Sequence, residues 1–213
     1  MNTNIIRKPF KYRYDNAALI LISLNILVYL GEMFFRNQNF VQRFSMIPLA
    51  VVRGRWYWQF FTYMFIHDPR SISHLVFNMF ALFIFGRQVE RRMGSVEFLL
   101  YYMLTGTLAG VFSFVVYWFT GYWLTALMGA SGAVFAVQLA YAALFPSSIV
   151  YLWGLLPLRA PVMVLGFTAV EIILMATGLG GNVAHITHLA GFAFGWIYFL
   201  IRFGINPWRA MRG

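Results

Sequence analysis

The chain has 213 residues, of which 61% are hydrophobic and only 10% charged, with a mean hydropathy of +0.71. Soluble globular domains carry about a quarter charged residues, so this composition excludes that class and calls for a lipid environment. The absence of cysteine excludes disulfides, thiolate nucleophiles and cysteine metal sites, and the net charge of +10 does not point to nucleic acid, because the basic residues flank apolar runs instead of forming one stripe.

Residues 1–16 are basic and polar and read as a cytoplasmic N-terminal segment. Six apolar runs follow, at about 17–35, 73–93, 97–119, 127–145, 161–177 and 184–203, each near the 17–25 residues a spanning helix needs. All six are read as helices, since an unpaired strand cannot satisfy its backbone in lipid. The first run begins near Ala17 and is long enough to span, so no cleavable signal is expected. Between the first two runs lies a long aromatic and basic loop, interrupted by Pro48 and carrying Trp56, Tyr57 and Trp58. It suits amphipathic pieces at the membrane interface. The expected architecture is therefore all-α: a polytopic six-helix bundle over 17–203 with a long amphipathic loop between helices 1 and 2. Residues 204–213 form a short cytoplasmic tail.

Charge sets the orientation. With the N-terminus inside, Arg7, Lys8, Lys11, Arg13, Arg87, Arg91, Arg92, Arg159, Arg202, Arg209 and Arg212 lie inside, against Arg36, Arg43, Arg53, Arg55 and Arg70 outside. Both termini are expected to be cytoplasmic, and helices 2, 4 and 6 run inward. His74, Ser131 and His188 then lie 16, 15 and 14 residues before Glu90, Pro146 and Arg202 respectively, which mark the inner boundary. At 1.5 Å per residue this places all three at one depth, roughly 21–24 Å above that boundary.

All four histidines, His67, His74, His185 and His188, fall near the outer ends of helices 2 and 6 or in the loop entering helix 2. Ionisable residues at membrane depth are costly and mark functional sites. Ser131 alone would be a packing residue in Gly129-Ala130-Ser131-Gly132. However, Gly132, Ala136 and Ala140 on helix 4 and Gly191 and Gly195 on helix 6 form small-residue ladders that let the two helices approach closely. Ser131 and His188 would then face each other, the imidazole taking the hydroxyl proton during nucleophilic attack. His74 and Asn78, four residues apart on one face of helix 2, and the backbone N–H of Ser131 at a helix start are the candidate oxyanion donors.

These residues carry a family resemblance. "GASG" opening one helix, "HLVFNM" from His74 to Met79 opening another and "HLAGFAFG" from His188 to Gly195 opening the last resemble the rhomboid intramembrane serine proteases. "GRQVERRMG" adds Gly86, Glu90 and Gly94 in the family's order. The resemblance implies a bacterial-type, six-span serine endopeptidase in the cell (inner) membrane. Ser131 would be its nucleophile, His188 its base, and His74 with Asn78 its oxyanion stabilisers. Its site would open to the outer side and cut transmembrane proteins. The expected partners are such substrates and the lipid bilayer, with no nucleic acid, no metal and no cofactor, and the oligomeric state stays open. The family's Trp-Arg pair in the long loop is Trp58-Gln59 here.

Phe135, one turn after Ser131, is a candidate to stack on His188 or simply to pack in the core. Phe77 is a candidate gate residue facing helix 5, and the "TGLGGNVA" segment a candidate lid. Gly86, Glu90 and Gly94 read as structural, with Glu90 capping or tying inner loops. His67 is left outside the catalytic set. His185 is expected to make a loop hydrogen bond and not to share a metal with His188, because no carboxylate is evident nearby. Glu171, mid-span without an evident cationic partner, should be protonated or line water. Two alternatives stand beside the protease: a silent relative that binds membrane proteins, which should lack the serine or the histidine, and a bis-histidine haem or metal protein using His74 and His188.

Overall fold

The computed structural model describes residues 7–35, 38–69, 71–152, 154–178 and 182–212. Arg36, Arg70 and part of the candidate lid, residues 179–181, lie outside the described residues. Among the described residues, five stretches are long and apolar enough to cross a membrane: Ala17–Phe34, Ile72–Met93, Ser95–Thr120, Ala160–Thr177 and Ala184–Phe203. They correspond to helix α1 (Ala17–Phe35), α5 (Ile72–Ala81) continued by α6 (Arg87–Met93), α7 (Ser95–Thr120), α9 (Ala160–Thr177) and α10 (Asn182–Tyr198). A π-helical segment, Leu82–Gly86, joins α5 to α6, and another, Phe199–Phe203, extends α10. The protein is a polytopic, mainly helical membrane protein.

The remaining apolar helix, α8 (Ser131–Leu144), has 14 residues and is the most enclosed of all. It is rich in alanine and buried along most of its length, packed against α7, α9 and α10. The apolar run at 127–145 predicted a helix from residue 127, but the helix begins only at Ser131. The reason is local. Met46 and Leu127 exchange backbone hydrogen bonds at 2.9 Å, the Leu49 N–H donates to the Trp123 carbonyl at 2.9 Å, and the Gly129 N–H donates to the Tyr63 carbonyl at 2.9 Å. The long loop thus satisfies the extended backbone before Ser131, which is how irregular chain is tolerated beside lipid. Gly129 adopts φ +113°, a conformation that strains any side chain, and it turns the chain into the helix.

Small residues let α8 and α10 meet backbone to backbone. A methyl group at Gly191 would overlap the Gly132 carbonyl, and one at Gly195 would lie 2.5 Å from the Tyr101 hydroxyl and 3.2 Å from Ala136. Tyrosines on the other side fasten the core: Tyr101 donates to the Ala136 carbonyl and Tyr63 to the Gly106 carbonyl, each at 2.6 Å.

The long loop folds into α2 (Gln38–Phe44), α3 (Pro48–Gly54) and α4 (Gln59–Thr62). Its organiser is Gln59, fully buried, whose side-chain oxygen accepts from the Ile47 N–H at 3.0 Å while its amide donates to the Gln42 and Arg43 carbonyls at 3.0 and 3.1 Å. The Arg43 guanidinium lies over the stacked Trp56 and Trp58 rings at 5.8 and 5.9 Å. Two short strands that the sequence did not announce, β1 (Ile149–Leu152) and β2 (Leu156–Arg159), form an antiparallel hairpin between α8 and α9. A last helix, α11 (Pro207–Arg212), packs on α8 with Met211 buried.

At the end of the bundle far from Ser131, Glu90 is fully buried and caps α1. Its carboxylate accepts from the Ala17 and Ala18 N–H groups at 2.6 and 3.0 Å and from the Ser95 hydroxyl at 2.6 Å. Gly94, with φ +86°, lets the chain turn against Arg13 between α6 and α7. A methyl at Gly86 would sit 2.7 Å from Leu82. The expected structural role of Gly86, Glu90 and Gly94 has this physical content. A second tie joins α7 to the end of α10, where the Glu97 carboxylate accepts from Tyr198 at 2.5 Å and from Arg202 at 2.8 and 2.7 Å.

Removing the Glu90 carboxylate strands three donors at once. Glu90→Ala should therefore cost about 2–4 kcal/mol, read as a lower thermal unfolding temperature in detergent, whereas Arg13→Ala, whose Asp15 pairing is exposed, should change it little.

Candidate functional site

Ser131 is the first residue of α8, so the leading amides of that helix have no carbonyl one turn back to bond. The chain delivers them through the Gly129 turn, and the His74 ring rests on that turn. A methyl on Gly129 would lie 2.6 Å from His74 Cε1 and 2.9 Å from Nε2. Asn78, one turn along α5 and almost fully buried, donates from its side-chain amide to the His74 carbonyl at 2.8 Å. That bond uses one of its two amide hydrogens and fixes the orientation of the other. His74 therefore lies beside the start of α8, with Asn78 one turn further along α5.

On α10, Thr187 shares a 2.7 Å hydroxyl hydrogen bond with Ser113 of α7, and its methyl packs over Gly132. This sets the rotation of α10 and turns His188 toward α8. The His188 ring stacks on Phe135, with centroids 4.6 Å apart and planes 7° from parallel. Phe135 lies one turn after Ser131, so the ring that stacks on His188 stands on the serine's side of α8, beside the Gly132–Gly191 contact. Of the two sequence options for Phe135, the stack on His188 is the one observed.

Two expectations need correction. Glu171 does have partners, and a carboxylate does lie beside His185. Glu171 Oε2 is 2.5 Å from His185 Nδ1, and Oε1 is 3.1 Å from His188 Nδ1, the second at ion-pair distance but short of hydrogen-bond alignment. The sequence signal that finds this contact is positional. Glu171 lies six residues before the end of α9 and His188 six after the start of α10, so an antiparallel pair of neighbouring helices brings both to one depth. Among the described residues, Glu171, His185 and His188 also bring three possible metal ligands within 4.8 Å of one another. Gln59 was the other residue missed, since its role appears only once the loop it fastens is folded.

His67 is fully buried, its ring 5.4 Å from that of His74, and neither ring nitrogen has a hydrogen-bond partner among the described residues. Burial, reinforced by the neighbouring imidazole, lowers its pKa to about 4, so it is neutral near pH 7. A cavity of about 460 Å³ opens between α5 and α9 below the site, lined by Phe77, Phe80, Phe135, Met163, Phe167 and Glu171. Phe77, expected to face helix 5, lines it together with Phe167 of α9.

Comparison with known proteins gives the family. A family profile described as Rhomboid domain matches residues 54–205. The rhomboid protease GlpG of Haemophilus influenzae is 29% identical over 130 residues, which cover 61% of this chain and 63% of that protein. The chloroplastic Rhomboid-like protein 11 of Arabidopsis thaliana is 32% identical over 198 residues, 87% of this chain and 64% of that protein. The rhomboid protease AarA of Providencia stuartii is 29% identical over 153 residues, 63% of this chain and 50% of that protein. The chain spans between half and just under two thirds of the length of these relatives. Since the domain match takes in most of the sequence, including every candidate residue from Gln59 to His188, the chain belongs to the rhomboid family.

Proposed function

We propose that the protein is an intramembrane serine endopeptidase in which Ser131 is the nucleophile and His188 the general base. The observation that carries this reading is the stacking of His188 on Phe135 beside the close approach of α8 and α10, next to a helix start flanked by His74 and Asn78. Ser131 Oγ attacks the scissile carbonyl carbon while its proton passes to His188 Nε2. The carbonyl oxygen takes up the negative charge among the Ser131 N–H, His74 and Asn78. The C–N bond then breaks as His188 returns the proton to the departing amine, leaving an ester at Ser131. Water, deprotonated by the same imidazole, hydrolyses that ester.

The substrate is a transmembrane helix entering between α5 and α9 through the Phe-lined cavity, with both termini of the enzyme cytoplasmic and the site open to the outer face. Residues that unwind readily near the cut favour cleavage, because a helical amide is shielded. His74 and Asn78 share the oxyanion with a backbone amide, so none of the three carries it alone.

A metal hydrolase is the one rival that an observation favours, through the Glu171, His185 and His188 donors. Such an enzyme activates water and passes through no ester. A fluorophosphonate should label the protein at Ser131, Ser131→Ala should abolish labelling and cleavage together, and strong chelators should change neither. Cleavage that survives in Ser131→Ala and is lost on chelation refutes the serine mechanism. His188→Ala should retain less than about a tenth of wild-type cleavage, given the factor of roughly 10²–10⁴ a general base supplies.

Asn78→Ala should lower turnover by about 10- to 10³-fold while Ser131 still labels. Complete loss of labelling in a folded Asn78→Ala protein would contradict an oxyanion role.

A further inference from the structure

A carboxylate in the middle of a spanning helix is expensive unless something nearby uses it. Glu171 has only 13% of its side chain exposed, and each of its oxygens meets a ring nitrogen of α10, Oε2 at His185 Nδ1 and Oε1 at His188 Nδ1. An ionised carboxylate can only accept hydrogen bonds. Hydrogen is thereby placed on His185 Nδ1, and at 3.1 Å a hydrogen on His188 Nδ1 turns a lone-pair repulsion with Oε1 into an attraction, which leaves Nε2 bare in a neutral ring. For His188 that is the tautomer a base needs, with its free lone pair on the nitrogen away from Glu171.

We propose that Glu171 is a positioning residue for His188: it fixes the Nδ1–H tautomer and holds a negative charge beside the imidazolium that forms when His188 takes the Ser131 proton. This rests on the serine–histidine reading and extends it from two residues to three. Phe135 and Glu171 divide the task. The phenyl ring holds the plane of the imidazole from one face, and the carboxylate sets its rotation within that plane. His185 anchors the second oxygen, so the carboxylate cannot swing away into the cavity that it also lines. His74 is the other titratable group near the serine, and it stands on α5 across the Gly129 turn. Every proton in the cycle, from Ser131, to the departing amine and from water, passes through His188, and Glu171 gains and loses none.

The test uses the full chain in bilayers with a transmembrane substrate. In Glu171→Gln the side chain offers one acceptor and one amide donor to two ring nitrogens that both need acceptors, and the charge is gone. Turnover should fall by about 10²-fold with KM changed less than about threefold, while unfolding in detergent stays near wild type. Glu171→Asp, which keeps the charge on a shorter arm, should recover at least about tenfold of that loss. Imidazole nitrogen NMR of the resting wild-type protein should place the His188 proton on Nδ1. A Glu171→Gln enzyme with wild-type turnover, or a resting His188 proton on Nε2, overturns the proposal. Ser131→Ala, run alongside, separates the two claims. If it is inactive while Glu171→Gln is fully active, the serine mechanism stands and Glu171 has no part in it; if it still cleaves, both fail.

Discussion

Everything at the site depends on two helices touching through their backbones. Where Gly191 lies against the Gly132 carbonyl, no side chain separates α8 from α10, and this closeness brings residues one turn apart on different helices into reach. Lipid supplies no hydrophobic force to press helices together, so close packing and buried hydrogen bonds must do it. Here the packing comes from glycine and alanine along α8, and the hydrogen bonds come from Tyr101 and from the Ser113–Thr187 pair. A residue larger than glycine at this crossing would part the helices before it disturbed anything else.

The second constraint is the shortness of α8. A full-length span beginning near residue 127 would carry Ser131 within a closed helical turn, its amide bonded to a carbonyl behind it. Instead the loop between α1 and α5 supplies the missing hydrogen bonds from Met46, Leu49 and Tyr63, and the helix starts at the serine itself. The same economy holds at the far end, where Glu90 serves as the cap for α1 and so ties the first helix to the second. Glu90 sits where a helix begins, and Glu97, Ser113 and Thr187 sit where two helices are kept in register.

Much of this was legible in the sequence. The apolar runs located five of the helices to within a residue or two, and the Gly132 and Gly191 ladders foretold the crossing, because spacing along a helix converts directly into position. Hydropathy put the start of α8 too early, near residue 127, since it cannot distinguish a buried extended segment from a helix of equal apolarity, whereas the Gly129-Ala130-Ser131-Gly132 motif marked Ser131 as the opening. Gln59 was invisible for a related reason: its partners are backbone groups 12 to 17 residues away, and backbone leaves no mark in sequence. Glu171 was legible in principle but was judged by its own helix, on which it has no cation, when the relevant neighbours were the histidines opening the next one. The short β hairpin carries too few residues for an alternating pattern to stand out.

The central claim is tested most directly at the glycine crossing, by a substitution that replaces no reacting group. In Gly191→Ala the added methyl must push α10 away from the Gly132 carbonyl, and a misplacement of about 1 Å at a catalytic pair costs on the order of 10² in rate. The rate of fluorophosphonate labelling at Ser131 should therefore fall about 10²-fold in a protein that still folds and inserts. Labelling at the wild-type rate would show that the serine does not depend on His188 being held there, and the central claim would be wrong.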